Sequence, residues 1–316
     1  MMFAIITPAL ITGAFANRIH FKAYVIFLVA WLTFVYVPWC HWIWGGGFLA
    51  KWGVLDFAGG IVVHATAGFA SLASVHFVGA RAVRESEPHS VPLVALGTGL
   101  LWFGWYGFNA GSALSASPIT ALAFFNTDLA GSFAAVTWLI MEWGFAKKPK
   151  FIGLLTGAVA GLATITPGAG YIPPWAACIE GILAAIVCYF AVWFKNKMKW
   201  DDALDVWGVH GVGGILGTIL LGCFGSTEYN ALGADGLFFG GGAFFGKQLA
   251  AVTFACVWGF FFTWGMLWLI NKVTPVKVAE EVQDNLDQAE LGEKAYVKPG
   301  SGFVQNVHPA HSNSHF

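Results

Sequence analysis

Nine apolar runs, separated by short polar connections, constrain this chain more than any other feature of its sequence. A helix needs roughly 20 apolar residues to cross a bilayer, and most of the runs reach that length. Only 10% of the 316 residues are charged, against about 25% in a soluble domain. The sequence therefore predicts an all-α polytopic membrane protein in a lipid bilayer. The runs cover residues 1–16, 23–44, 58–80, 91–114, 119–145, 151–170, 174–194, 203–224 and 248–272.

The chain divides into two predicted parts after the last apolar run. Residues 1–273 form a transmembrane domain, and residues 274–316 form a polar, charged tail. The first run is short, and the small residues near Ala16 are compatible with cleavage of a signal peptide. Because Arg18 and Lys22 follow this run and no basic residue precedes it, we favour instead a helix whose beginning lies before residue 1.

The basic residues predict how the chain is oriented. If successive connections alternate across the membrane, 14 of the 16 basic residues share one side, and only Lys51 and Lys247 lie on the other. Basic residues accumulate in cytoplasmic connections. We therefore expect a plasma or inner membrane protein with residue 1 outside and a cytoplasmic C-terminus. The shared side holds Arg18, Lys22, Arg81, Arg84, Lys147, Lys148, Lys150, Lys195, Lys197, Lys199, Lys272, Lys277, Lys294 and Lys298.

Two histidines lie inside apolar runs, where ionisable side chains are costly and therefore mark candidate functional sites. His64 follows Asp56 by eight residues, and His210 follows Asp205 by five. A rise of about 1.5 Å per residue places His64 about 12 Å beyond Asp56 and His210 about 14 Å beyond a helix start near Asp201. Both side chains thus reach the middle of a core roughly 30 Å thick, from opposite faces. Inverted repeats with a site at the midplane have this arrangement.

The histidine pair admits three interpretations. A single buried histidine is most often a hydrogen-bond strut between helices. Matched depth and an acidic residue at each mouth, Asp56 and Asp205, favour a functional pair lining a passage. A pair of haem ligands is the third interpretation, and no other feature supports it. The five cysteines include no CxxC pair, so we predict neither a metal site nor a cofactor.

Aromatic residues cluster at the predicted outer ends of two runs. Trp44 precedes three glycines, and the fourth run closes with the aromatic stretch 105–112. Tryptophan and tyrosine are common at membrane interfaces, which is the ordinary explanation for any one of them. Aromatic faces beside a hydroxyl group also hold a small cation through cation–π attraction, worth about 0.5–2 kcal/mol.

Four motifs together resemble the ammonium transporter (Amt/Mep/Rh) family. The resemblance extends through about Tyr296, and the order and spacing of the motifs agree with the family. They are HWIWGGG at 41–47, LDFAGGIVVH at 55–64, WYGFNAGS at 105–112 and DVWGVHGVGG at 205–214.

The resemblance implies a role for each matched residue. Trp44 and Ser112 match an outer site that recruits ammonium, and Phe3 and Phe108 match a stacked phenyl gate. Asp56 matches an acidic residue that shapes the vestibule and its potential without touching the ion. The two histidines, His64 and His210, match a hydrogen-bonded pair in a narrow apolar pore.

The resemblance also implies a fold and partners. Family members have eleven helices in two inverted five-helix halves plus one, so about nine of eleven are expected here, and the first two would be missing. A homotrimer is expected, together with a PII-type signal protein on the cytoplasmic face. The tail departs from the family pattern at Asn285, where glycine is usual, and at Leu291, where histidine is usual, which weakens the expectation of regulation by the tail.

The predicted function is channel-like transport of ammonium or ammonia, with methylammonium as a further substrate, and not an enzyme activity or nucleic-acid binding. Ammonium and potassium have similar radii, but only ammonium donates hydrogen bonds and can release a proton. Imidazole rings suit this distinction, since one ring nitrogen accepts while the other donates. Two alternatives remain open: a sensor of the same fold acting through the tail, and a haem protein. Whether NH3 or NH4+ is the net transported species also remains open.

Overall fold

The structure is a computed structural model that describes residues 1–83 and 87–294. Arg84, Lys298 and the rest of the predicted tail beyond residue 294 lie outside the described residues. The described chain consists of helices and their connections, without a β-strand. One isolated antiparallel bridge joins Ile19 to Lys277.

Within the described residues, nine apolar helical segments coincide with the nine predicted runs. Seven of them are long and apolar enough to cross a bilayer, whereas α1 and α6 are apolar but shorter, so the number of crossings stays a prediction. Three residues interrupt α2 at Gly45–Gly47. The segments are α1 (Met2–Ala14), α2 (Phe21–Trp52), α3 (Gly60–Val78), α4 (Val91–Ala113), α5 (Pro118–Ala146), α6 (Phe151–Ile165), α7 (Pro174–Lys197), α8 (Trp207–Phe224) and α9 (Gly242–Val273).

The two histidine-bearing helices begin in the same unusual way. The first turns of α3 (Gly60–Ala65) and of α8 (Trp207–Gly211) are π-helical, and each of these turns contains its histidine. Wide π turns are rare and occur mostly at functional sites. The two helices therefore carry the same local distortion at matching positions, as inverted repeats should.

Glycines bring α3 and α8 into backbone contact. A Cβ on Gly68 would lie 2.1 Å from the Gly211 Cα, and a Cβ on Gly214 would lie 2.6 Å from the Gly60 carbonyl oxygen. Each inner glycine, Gly68 and Gly214, stands four residues after its histidine. Small residues allow membrane helices to approach this closely. The crossing therefore holds the two histidines at one level between the helices.

An irregular turn, residues 166–173, follows α6 and is almost entirely buried. The 15 residues of α6 rise only about 22 Å, less than a hydrocarbon core of roughly 30 Å, so we expect this turn to lie at membrane depth. Irregular backbone there needs partners from the protein. The Phe57 N–H donates to Pro167 O at 3.0 Å, and the Asn126 amide donates to Ala169 O and Ile172 O, both at 2.9 Å.

A buried ion cluster lies on the face that the basic residues predict to be cytoplasmic. Arg81 donates from Nη2 to Asp201 Oδ1 at 2.7 Å, and fully buried Arg18 lies 3.5 Å from Asp201 Oδ2. Burial alone would raise the pKa of Asp201, but hydrogen bonds from Arg81 and the charges of both arginines hold this pKa well below its usual value. The cluster therefore ties together the connections that precede α2, α4 and α8.

The described part of the tail packs against the same connections. Val278 donates its N–H to Arg18 O at 2.9 Å, and Ala82 donates to Gln283 Oε1 at 2.9 Å. The short helix α10 (Leu286–Leu291) carries Glu290, whose Oε1 lies 2.7 Å from His20 Nδ1. The division into a domain and a tail stays a prediction, but the tail's first residues contact the helical body closely.

The Glu290 contact predicts that the tail is released by acid. The hydrogen bond from His20 and that from the Phe21 N–H lower the pKa of Glu290. Docking is therefore intact above the ordinary glutamate pKa of about 4.3 and is lost as the pH falls through the lowered value. Glu290→Gln should speed amide hydrogen exchange in α10 at neutral pH, whereas Glu293→Gln, at an exposed position, should not. Equal exchange in the two variants would contradict this prediction.

Candidate functional site

The structure brings the two predicted histidines into direct contact. His64 Nδ1 lies 3.2 Å from His210 Nδ1, and the ring centroids are 5.2 Å apart with planes 23° from parallel. Only 1% of His64 and 7% of His210 is exposed. The two predicted histidines therefore contact each other in the structure, whereas their depth in the membrane stays a prediction.

Thr166 determines the order of protons along the pair. Its hydroxyl donates to Leu162 O at 2.8 Å, so the hydroxyl oxygen can only accept at the 3.3 Å contact with His64 Nε2. His64 then carries its proton on Nε2 and accepts at Nδ1 from the Nδ1–H of His210. This order leaves Nε2 of His210 as the acceptor of the pair.

Trp105 packs against both imidazole rings. Its ring lies 5.4 Å from that of His64 and 6.3 Å from that of His210, with planes 20° and 3° from parallel. Its indole N–H donates to Thr166 Oγ1 at 3.0 Å. Sequence reasoning selected neither Trp105 nor Thr166. Trp105 lies in one of the four motifs, but nothing in the sequence distinguishes Thr166 from Thr164 beside it.

Asp56 is a helix cap. Its Oδ1 accepts from Gly59 and Gly60 at 2.8 and 2.7 Å, and its Oδ2 accepts from Ile61 and Val62 at 2.8 and 3.1 Å. These are the unpaired amides at the beginning of α3, which favour a negative charge. The carboxylate is 4% exposed and fully committed to the backbone. Asp56 therefore positions the turn that carries His64.

The corresponding cap on α8 is Asp202, which the sequence reasoning did not select. Asp202 stands eight residues before His210, the spacing of Asp56 and His64, and its Oδ2 accepts from the Trp207 N–H at 2.8 Å. Burial raises its pKa. Asp205, the predicted mouth residue, instead contacts Lys195 Nζ at 2.5 Å and is about one-third exposed. The matched spacing to the histidine was the available signal for Asp202.

Three predicted aromatic residues lie together above His64. Phe3 lies 5.3 Å from Trp44 and 4.3 Å from Phe108, measured between ring centroids, and Phe108 lies 6.1 Å from His64. The expected stacked arrangement of the phenyl rings is not found, because Phe3 and Phe108 meet edge to face at 66°. Edge-to-face contact is a preferred geometry for phenyl rings.

Some of the polar groups around these rings already form hydrogen bonds within the protein. The Trp44 indole N–H donates to Asp56 O at 2.7 Å. Ser112 donates its hydroxyl to Phe108 O at 2.8 Å, one turn back along α4. The hydroxyl oxygen of Ser112 remains able to accept, and the aromatic faces remain available to a cation.

The site does not suit a haem. Axial haem ligands lie on opposite faces of the macrocycle, and two imidazole rings in direct contact leave no space for it. Across residues 1–83 and 87–294, no group of three histidine, cysteine or acidic side chains has metal-binding geometry.

The fold and the site define a class of protein. It is a polytopic helical membrane protein in which two inverted helix starts, each capped by an aspartate, present a buried histidine pair beneath a group of aromatic rings.

Comparisons with known proteins identify the family. The model of the Ammonium Transporter Family matches residues 1–296. The ammonium transporter of Bacillus subtilis is 43% identical over 299 residues, covering 94% of this chain and 74% of that protein. The Aquifex aeolicus ammonium transporter is 45% identical over 297 residues, covering 94% and 70%. The chain belongs to the ammonium transporter family.

Solved structures agree with this assignment and confirm the predicted fold class. Candida albicans Mep2 superposes with a TM-score of 0.84 at 38% identity, covering 91% of this chain and 67% of that one. A structure of its S453D mutant gives the same TM-score and identity, and this chain covers 66% of it. The chain thus spans about two thirds of the Mep2 structures and about 70–76% of the bacterial and archaeal relatives.

The two caps predict unequal effects on stability. Asp56→Asn should lower the melting temperature more than Asp202→Asn, because Asp56 accepts four backbone hydrogen bonds and Asp202 accepts the Trp207 N–H. Each bond to a charged group is worth about 1.5–3 kcal/mol. Asp284→Asn, at an exposed position in the described part of the tail, is the control and should cause a smaller change. A larger effect from Asp202→Asn than from Asp56→Asn would contradict the assignment.

Proposed function

We propose that this chain forms the pore of an ammonium transporter, in which ammonium is recruited at the aromatic group and passes the histidine pair. The observation that carries the proposal is the direct Nδ1–Nδ1 contact of two buried histidines beneath those rings. The names of the relatives support the substrate. Because the chain spans only part of these relatives, the activity proposed is that of the complete protein.

Recruitment would rely on aromatic faces rather than on a carboxylate. Asp56 is saturated by backbone amides and does not face the vestibule with a free oxygen. The indole N–H of Trp44 donates to the backbone carbonyl of Asp56, which leaves the ring face of Trp44 available to a cation. Ser112 can accept one hydrogen bond from ammonium. Phe3 and Phe108 close the passage below, so that a hydrated cation cannot pass intact.

The histidine pair would discriminate by hydrogen bonding. With the proton order set by Thr166, His210 offers a single acceptor nitrogen in an otherwise apolar site. Ammonium can donate to this nitrogen and leave its proton behind, whereas potassium can do neither. Dehydration in an apolar passage costs both ions similarly, so this acceptor is the source of preference. The arrangement is compatible with net movement of either NH3 or NH4+.

A second candidate function is sensing. A solved structure described as a Sensor Amt Protein superposes with a TM-score of 0.84 at 31% identity, covering 92% of this chain. The tail contacts at Gln283 and Glu290 provide a physical connection between the pore body and a partner. A sensor binds ammonium but conducts little of it, so flux measurements on the complete protein separate the two functions.

Assembly and location complete the proposal. We place the protein in the plasma or inner membrane as a homotrimer, with its C-terminus in the cytoplasm and a PII-type protein as a regulatory partner. Exposed apolar side chains along α4 support burial against lipid or a neighbouring subunit, since large exposed apolar patches mark such surfaces. They include Leu96, Leu100 and Phe103.

Flux and selectivity in proteoliposomes test the function. An ammonium gradient should change the internal pH faster in vesicles with protein than in empty vesicles. His64→Ala and His210→Ala should each lower the preference for ammonium over potassium roughly tenfold, about 1.4 kcal/mol, the value of one lost hydrogen bond. Lys51→Ala, at an exposed position in the last turn of α2, is the control.

Two outcomes would contradict the proposal. Folded wild-type protein that conducts no faster than empty vesicles would exclude transport. If the histidine variants had the same selectivity as Lys51→Ala, the histidine pair would have only a structural role.

A further inference from the structure

Glu180 is a fully buried carboxyl group that has no role in the site described above. It lies on α7, six residues after Pro174 and thus about 9 Å along the helix from its beginning. The residue has no exposed surface, and neither carboxyl oxygen has a hydrogen-bond partner within residues 1–83 and 87–294. Ionisable groups at such positions in membrane helices are rare and are most often functional.

Glu180 faces the irregular turn of residues 166–173. A Cβ placed on Gly168 would lie 3.7 Å from Glu180 Oε1. Gly168 is two residues from Thr166, whose hydroxyl holds Trp105 and determines the proton order of the histidine pair. The carboxyl group therefore lies against the outside of the same turn that contacts the pore site on its inside.

Among the described residues, the surroundings of Glu180 offer no countercharge. Its neighbours on α7, Ala176, Ala177 and Ala184, are buried and apolar. The titratable group that faces it from α8 is the thiol of Cys223, which is close enough to interact electrostatically. Tyr171, on the turn itself, has Asp56 as its electrostatic partner instead. From α5, the amide of Asn126 is already bound to the turn.

We propose that Glu180 is a proton-binding site in the wall of the pore, and that it supports the turn of residues 166–173 only while it is protonated. A carboxylate without a partner is strongly destabilised in this environment, so ionisation would draw in water or displace the turn. Displacement of the turn moves Thr166, and with it the proton order of the histidines. The part of this proposal that concerns transport rests on the proposed function.

Labelling with a hydrophobic carbodiimide tests proton binding without any measurement of transport. The reagent adds to a protonated carboxyl and leaves a stable acylurea on the side chain. In membranes, the wild-type chain and Glu228→Gln should both gain this adduct at Glu180, and Glu180→Gln should not. Above the pKa of the Glu180 carboxyl, the protonated fraction and therefore the labelling should fall about tenfold per pH unit. Glu228 is an exposed carboxylate in the connection after α8. Absence of the adduct, or labelling that is the same at every pH, would overturn the proposal.

The pH profile tests the coupling to the turn. Gln mimics the protonated acid, so Glu180→Gln should keep its melting temperature and its ammonium flux at alkaline pH, where wild type and Glu228→Gln lose both. Identical profiles for wild type and Glu180→Gln would overturn the coupling. If no folded variant conducts, the proposed function fails, while labelling and melting temperature still decide whether Glu180 binds a proton that supports the fold.

Discussion

Backbone amides at the beginning of a buried helix have no partner in hydrocarbon, and Asp56 supplies one for four of them. The rest of the site depends on this cap. It permits α3 to begin with a wide π turn inside the protein, and that turn carries His64. The carbonyl of the same residue fixes the indole of Trp44. One acidic residue thus positions a ring of the aromatic group and one member of the histidine pair.

The second half of the site repeats this solution in the opposite direction. Asp202 caps the π turn of α8, eight residues before His210, and glycines let the two helices touch at their crossing. The repetition is not exact, because Thr166 contacts only His64. Because of that difference the hydrogen bonds run in one direction: His210 donates to His64, and His64 donates to Thr166. A two-fold arrangement of helices therefore supports an asymmetric chain of hydrogen bonds.

Much of this fold could be predicted because hydrophobicity reports burial in a membrane directly. In the described part of the chain the nine runs coincide with nine apolar helices, and the two histidines that counting residues paired do contact each other. Contacts that depend on side-chain direction could not be predicted in this way. Thr166 lies in an irregular turn, where no periodicity indicates which side chain faces the pore. Asp202 and Asp205 lie only three residues apart, so the distance in sequence to His210 was the one signal that could tell which of them caps α8. The edge-to-face angle between Phe3 and Phe108 cannot be read from the sequence at all.

The central claim is that the two histidines form a neutral pair with a single order of protons. Nitrogen-15 NMR of histidine-labelled protein in lipid measures this most directly, with signals assigned through His64→Gln and His210→Gln. The structure predicts that His64 is protonated on Nε2 alone and His210 on Nδ1 alone, with the two Nδ1 atoms sharing one proton. A spectrum in which His64 carries its proton on Nδ1, or in which either ring is doubly protonated at neutral pH, would contradict the account.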